Sequence, residues 1–253
     1  MVEILFSDLD NTLIYSHRHE LAGDKIPIEY LNGREQSYMT LRTYNSLINL
    51  DTIRFVPVST RSEAQYRRLV FMDILRARHA IICNGGKLLI DGNEDKSWTE
   101  ETYEMVAPFV KDLEEAIEIF ASIGSTGDIK KPEIYMCYAT ADDPKAVYDR
   151  LVNSIGSDEI VAEYDARKVY LFIRGIDKGT AVKRYVERFS ADRIIAAGDC
   201  RIDIPMLNEA DYALAPKEIL KFVTAPGIKL DGDDISFPIC RFLEEYIMKG
   251  KRI

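Results

Sequence analysis

Short apolar runs stopped by polar residues set the rhythm of the first third of the chain. Glu3 to Asp8 reads as a buried strand that ends at Asp8-Leu9-Asp10-Asn11-Thr12. A polar stretch from Tyr15 to Asp24 carries His17 and His19. Lys25 to Tyr30 then alternates with period two, Asn32-Gly33 is a type I′ turn signal, and Arg34 to Met39 returns, so 15–39 reads as a loop carrying a small hairpin. Thr40 is placed to cap a helix that runs to about Asn49. Arg54 to Val58 is a second strand, a helix starts near Glu63, and Ala80 to Cys83 is a third strand closed by Asn84-Gly85-Gly86. Strands separated by helices at this interval predict parallel βαβ units. Ligands of such sheets bind beyond the carboxyl ends of the strands, where Asp8, Ser59 and Asn84 stand.

The middle of the chain changes period. Tyr103, Val106, Val110, Leu113, Ile117 and Phe120 step by three and four, predicting one long amphipathic helix with Glu114, Glu115 and Glu118 outward. Glu133 to Thr140 reads as a strand, Pro144 to Asn153 as a helix with proline in its first turn, and Glu159 to Tyr164 with Lys168 to Arg174 as a strand pair. This block predicts a separate small domain with its own sheet, entered and left near 86–88 and 174–177. The parallel pattern then resumes. Lys178 to Phe189 is a helix, and Arg193 to Ala197 is a strand ending at Gly198-Asp199-Cys200-Arg201-Ile202-Asp203. Ile204 to Ala210 is a helix, Tyr212 to Ala215 a short strand, and Phe237 to Lys249 a closing helix.

Composition narrows the partners. With 33 Lys+Arg against 42 Asp+Glu in 253 residues, the formal charge is −9, which argues against nucleic acid or an anionic membrane as the main partner. The opening residues lack the basic start and long apolar stretch of a signal peptide, and no window approaches ~20 consecutive apolar residues. Cys83, Cys137, Cys200 and Cys240 are scattered, with no metal-ligand spacing. They read as reduced thiols of a cytoplasmic protein.

The acids carry the chemistry. Asp8 and Asp10 end one buried strand, and Asp199 and Asp203 end another. Unit charges ~4 Å apart repel by about 4 kcal/mol at an effective dielectric near 20, so a crevice holding all four needs a cation. Mg²⁺ prefers such oxygen ligands, and Lys178 offers a fixed charge. Each feature alone has a plainer reading. A DxD at a strand end is often a turn or a cap pair, Ser59 can cap the helix that follows, and Lys178 can be a solvated residue at a helix start, although the helix dipole disfavours it there. The ordered set, each member closing or following a strand, is what points to a site. His17 and His19 lack a third ligand in register and read as surface residues. Cys200 reads as an unreactive thiol, and Arg174 stands on the hinge side of the insertion without an assigned role.

Asp8-Leu9-Asp10-Asn11-Thr12-Leu13, Ser59-Thr60-Arg61, Lys178-Gly179 and Gly198-Asp199 through Asp203-Ile204-Pro205-Met206-Leu207 resemble, in order and strand context, the four motifs of the haloacid dehalogenase superfamily. The insertion between the second and third resembles the cap of its Cof-like and sucrose-phosphatase-like branch. The resemblance implies an α/β fold: a Rossmann-like parallel sheet core with helices on both faces at 1–86 and 175–253, plus an inserted α+β cap at 87–174 that reads the substrate. It implies that Asp8 attacks phosphorus to form an aspartyl-phosphate, and that Asp10 protonates the leaving oxygen and later takes a proton from water. Mg²⁺ would be held by Asp8, the Asp10 backbone carbonyl and Asp199. Asp203 would serve as a further metal ligand or as the partner that orients Lys178 or a metal-bound water. Ser59 and Lys178 would hold phosphoryl oxygens. Thr60 and Arg61 stand beside them as substrate contacts, Arg61 equally as partner of a core acid.

Three positions depart from that pattern. Ile202 stands where relatives carry asparagine, Thr60 replaces a glycine, and the 15–39 segment is long. The expected function is a Mg²⁺-dependent phosphatase acting on a small phosphomonoester, a sugar phosphate or related metabolite, in a monomer or homodimer. A phosphotransferase or phosphomutase on the same core is the nearest competitor. A catalytically degenerate metal-binding protein draws support from Ile202. A receiver-like phosphoacceptor fits less well, because its acceptor aspartate follows the third strand, where this chain has Asn84.

Overall fold

The N-terminal apolar run forms the strand on which the rest is built. The computed structural model describes residues 2–70, 75, 77–124 and 127–250. In chain order its elements are β1 (Glu3–Ser7), β2 (Tyr15–Ser16), β3 (Lys25–Leu31), β4 (Arg34–Thr40), α1 (Leu41–Ile48), β5 (Arg54–Pro57), α2 (Glu63–Tyr66), β6 (His79–Ile82), β7 (Lys87–Ile90), β8 (Asn93–Glu94), α3 (Lys96–Val106), α4 (Val110–Ile123), β9 (Lys130–Glu133), β10 (Met136–Thr140), α5 (Pro144–Ser154), β11 (Ile160–Asp165), β12 (Lys168–Ile173), α6 (Lys178–Phe189), β13 (Arg193–Ala197), α7 (Ile204–Asn208), β14 (Tyr212–Pro216), α8 (Lys217–Leu220), β15 (Gly227–Leu230) and α9 (Ser236–Met248).

A parallel sheet in the order β15-β14-β13-β1-β5 forms the core. Side chains of β1 alternate between its faces, as period two requires. Leu5 joins a cluster with Leu47 of α1 and Ile239, Leu243 and Tyr246 of α9. Ile4 and Phe6 join Ala181, Val182 and Tyr185 of α6 and Met206 and Leu207 of α7 on the other. Helices therefore cover both faces, which is why the strand reads as an unbroken apolar run.

The third strand differs from expectation. β6 touches the parallel sheet through one bridge, Val58 to Ile81, and pairs mainly antiparallel with β7. Cys83, Asn84 and Gly85 all adopt positive φ (53°, 57° and 105°), which reverses the chain and lays β7 along the edge of β6. The predicted long helix is also broken. Pro108 lies in the 3₁₀ turn Ala107–Phe109 that separates α3 from α4, since proline lacks the N–H for a continuing helix and its ring clashes with the preceding turn. The two halves serve different bodies. Trp98 of α3 is fully buried in the α6 side of the core, its Nε1 donates to the Gly85 carbonyl at 3.0 Å, and Arg184 of α6 lies 4.0 Å above its ring. From α4 onward the chain builds its own antiparallel sheet, β11-β12-β10-β9; the strand expected from 133 to 140 is present as β10 from Met136, and its first residues instead form the reversal from β9.

The 15–39 segment is a three-stranded antiparallel flap, β2-β4-β3. Its turn has φ of 52° at Asn32 and 74° at Gly33, the two positive values that a type I′ turn needs. Thr40 caps α1 as expected, accepting from the Thr43 amide. α8 and the edge strand β15 went unforeseen. Among the described residues no helix is long and apolar enough to cross a membrane.

Candidate active site

Parallel pairing of β1 with β13 sets Ser7 beside Ala197, so the residues that follow both strands emerge together. The Asp8 amide donates to the Ala197 carbonyl at 2.9 Å. Beyond β13, Gly198 lets the chain turn tightly: a Cβ there would lie 2.4 Å from Cβ of Asp203. Asp203 closes that turn, its Oδ2 accepting from the amides of Asp199 (3.0 Å) and Cys200 (3.1 Å).

Lys178 is the first residue of α6 and is 1% exposed. The helix starts there because the Asp177 side chain accepts from the Gly179 and Thr180 amides. Its Nζ donates to Asp8 Oδ1 at 2.5 Å and to Asp203 Oδ1 at 2.6 Å. Thr12, fully buried, spans the acids from the other side, 3.0 Å from Asp199 Oδ1 and 3.4 Å from Asp8 Oδ2. Burial pushes the Asp8 carboxyl above the ordinary range, opposed by Lys178 and reinforced by Asp203 and Asp10. Burial and then the charges of Asp203 and Asp8 push Asp199 the same way. Burial alone would lower Lys178, but Asp203 and Asp8 together hold it well above the usual lysine value.

One buried lysine thus serves Asp8 and Asp203, with Asp199 joined to them through Thr12, an excess of negative charge on oxygen donors that fits a hard divalent cation. Asp199, Cys200 and Asp203 have their donor atoms within 4.8 Å of one another. The carboxylates of Asp8 and Asp199 are the least committed of the set, whereas both oxygens of Asp203 are taken by Lys178 and by two backbone amides.

Asp10 is held differently. Arg61 grips it with two parallel bonds, Nε to Oδ2 at 2.8 Å and Nη2 to Oδ1 at 2.7 Å. Of the two roles expected for Arg61, the structure shows the pairing with a core acid. Burial would raise the Asp10 carboxyl, but the Arg61 charge and hydrogen bonds outweigh it and hold it below the ordinary range. Arg61 is itself fixed from the flap: Glu29 Oε2 of β3 accepts from Arg61 Nη2 at 3.0 Å and from the Ser37 hydroxyl at 2.7 Å, and Glu29 Oε1 accepts from Arg68 at 2.8 Å. With its side chain 3% exposed, Glu29 is tilted upward by burial but pulled below its usual value by Arg61, Ser37 and Arg68.

The sign of the pH effect follows. A carboxylate with a lowered folded pKa contributes stability above its unfolded value near ~4.3 and loses it as pH falls through the folded value. Glu29→Gln is expected to destabilise the protein by about 3 kcal/mol at pH 7, the deficit shrinking below about pH 4. Urea unfolding at both pH values checks it, and an unchanged midpoint at pH 7 would remove Glu29 from the clamp.

Ser59 follows β5 and its Oγ accepts from the Arg61 amide at 3.2 Å. It does not cap α2; Ser62 does, in a reciprocal capping box with Gln65. Core and cap meet here: Gln65 Nε2 lies 3.4 Å from the Tyr138 hydroxyl of β10, and Thr60 is near enough to Tyr170 of β12 to offset part of the rise that burial imposes on its phenol. Ile202 is buried in the apolar core, so no donor occupies the position where an asparagine was expected. His17 bonds the Gln36 carbonyl and His19 packs on Tyr15, away from any shared ligand geometry. Burial and then Asp203 push the Cys200 thiol up, as expected for an unreactive cysteine. Arg174 bonds the Asp158 carbonyl.

Sequence reading missed Glu29, Arg68 and the bridging role of Thr12. It also missed Asp165 at the end of β11, whose carboxyl is raised by burial and by Asp203 and so belongs to the site's electrostatics. Thr12 lay within the first motif. For Glu29 the only signal was an acid in an alternating strand.

A family model described as haloacid dehalogenase-like hydrolase matches residues 94–218. No curated protein matches the chain. Among solved structures, the sucrose-phosphatase of Synechocystis sp. is 13% identical with TM-score 0.61, covering 96% of this chain and 99% of that one. A subclass IIB sugar phosphatase of the same superfamily is 14% identical with TM-score 0.59, covering 98% and 100%. A superfamily phosphatase from Bacteroides thetaiotaomicron is 13% identical with TM-score 0.57, covering 97% and 95%. At these identities the likeness is one of fold.

Proposed function

We propose, for a chain that belongs to the haloacid dehalogenase-like hydrolases, that it is a Mg²⁺-dependent phosphatase of a small phosphomonoester working through an aspartyl-phosphate. The observation that carries this reading is the meeting of Asp8 and Asp203 on one buried lysine, with Asp199 tied to Asp8 through Thr12 and Asp10 two residues beyond the nucleophile.

Asp8 Oδ1 is held by Lys178, which leaves Oδ2 the freer oxygen to attack phosphorus. The new Oδ–P bond forms as the P–O bond to the leaving group breaks, and the leaving oxygen takes its proton from Asp10. Water then loses a proton to the Asp10 carboxylate and attacks the same phosphorus. The Oδ–P bond breaks and inorganic phosphate departs. Arg61 suits Asp10 to the base half of this cycle. In the acid half, a phosphate dianion beside Asp10 raises its proton affinity against Arg61. Lys178 and Ser59 would hold phosphoryl oxygens, and Asp203 positions Lys178 and the 198–203 turn. Asp8, Asp199 and the Asp10 carbonyl would hold the metal, which when bound neutralises charge on the transferring group.

The test is phosphate release from a broad panel of phosphomonoesters, with Mg²⁺ and with excess chelator. Hydrolysis of some members is expected, lost on chelation and restored by Mg²⁺. A rate indifferent to the chelator would take the metal out of the mechanism.

A further inference from the structure

We propose that the leaving group carries a second anionic group, a carboxylate or a phosphate, bound between the flap and the cap. This rests on the phosphatase reading for the reaction, and on charge and shape for the ligand. A cleft of about 310 Å³ lies beside Asp10, whose side chain is 46% exposed. A separate hollow of about 640 Å³ between α1 and α9 is larger but contains none of the motif residues. The smaller cleft is walled by three parts of the molecule at once: the flap gives Arg18 and Glu29, the core Arg61 and Arg68, and the cap Lys168.

Pairing the charges leaves a remainder. Arg61 is committed to Asp10 and Glu29, and Arg68 to Glu29. Among the described residues neither Arg18 nor Lys168 takes part in an ion pair. The backbone amide of Arg18 bonds Ser16, and Lys168 Nζ lies 5.3 Å above the Tyr138 ring, a contact that leaves its N–H donors available. Two cations without an ion pair among the described residues, one on the flap and one on the cap, therefore border a cleft that adjoins the group assigned to protonate the leaving oxygen, Lys168 acting only at longer range on Asp10 and Asp165. Like charges placed together repel, and an anion between them reverses the sign of that interaction. The leaving alcohol occupies this side of Asp10 by the geometry of proton transfer, so its own anion is the natural counter-charge. Its size is bounded: the cleft holds roughly ten waters at ~30 Å³ each, room for a compound of a few carbons.

Two matched pairs test this. 3-Phosphoglycerate and glycerol 3-phosphate differ by a carboxylate against a hydroxymethyl group; fructose 1,6-bisphosphate and fructose 1-phosphate differ by a phosphate. The anionic member of at least one pair is expected to be preferred about tenfold or more in kcat/KM, as for hydrogen bonds to charged groups, and the pair that responds identifies the anion. That preference should fall about tenfold in Arg18→Gln and in Lys168→Gln, and invert in Lys168→Glu. The same pairs are titrated by calorimetry into Asp8→Asn protein, alone and combined with each cleft variant, so that recognition is read without turnover. Hydrolysis with no anionic preference, or a preference that the variants leave alone, would overturn the subsite and keep the phosphatase reading. Binding preference lost in the variants, with no hydrolysis of any compound, would keep the subsite and overturn the reaction. Neither hydrolysis nor preference would end both.

Discussion

Asp8→Asn is expected to lower turnover by roughly 10⁴- to 10⁶-fold, the scale seen when a nucleophile is removed from a covalent mechanism. The amide occupies almost the same volume but presents no carboxylate to phosphorus. The fold should survive, because burial already disfavours the charged form of Asp8 and the substitution removes one of the repelling acids around Lys178. Single-turnover phosphate release measures the first effect and thermal unfolding the second. Residual hydrolysis within tenfold of wild type would mean that another group attacks. A collapse in melting temperature would mean that Asp8 is needed for the fold, and the rate would then say nothing about the nucleophile.

Lys178→Met is expected to do more damage to stability than any other change in the site. It leaves Asp8 and Asp203 buried and facing each other without their shared cation, and removing one partner of a buried ion pair costs about 3–5 kcal/mol. The sign with pH is set by the groups left behind. The folded pKa of Lys178 is raised, so its contribution is complete at any pH below its ordinary value near ~10.4 and is lost only on the alkaline side. Without it Asp8, which burial already raises, loses the charge that opposes that rise and titrates higher still, which destabilises the protein at neutral pH and less as it protonates. Urea unfolding should show the deficit largest near pH 8 and smaller near pH 5, with Lys178→Met/Asp203→Asn recovering part of it. An equal deficit at both pH values would mean that lost packing, and not charge, is the cause.

How much of this could be read in advance depended on whether a signal was local. The parallel sheet was legible because each buried strand is an apolar run ending in a turn residue, and the motif acids were legible because the strand ends that carry them lie next to one another. The path of β6 was not, since three successive positive φ values at 83–85 turn on how the chain meets a neighbour. The break at Pro108 was in plain sight, but the apolar stripe ran through it and outweighed it. The Glu29–Arg61–Asp10 chain was hidden for another reason. Its members are far apart in sequence, and an acid in the flap looks like any solvated glutamate until the fold buries it. Ser59 was read with two possible uses, and the capping use fell to Ser62, a residue sequence reading had passed over.

The Pro108 break also decides where the molecule can be taken apart. Trp98 lies on the insertion side of residue 87 by sequence, yet its ring completes the apolar layer under α6 and its indole N–H holds the Gly85 carbonyl. Grafting a different lid between residues 87 and 174 would carry that ring away and leave a void against Ala181 and Tyr185. A graft joined at the Ala107–Phe109 turn exchanges only what the antiparallel sheet owns, and it leaves the scaffold that aligns the two strand ends untouched.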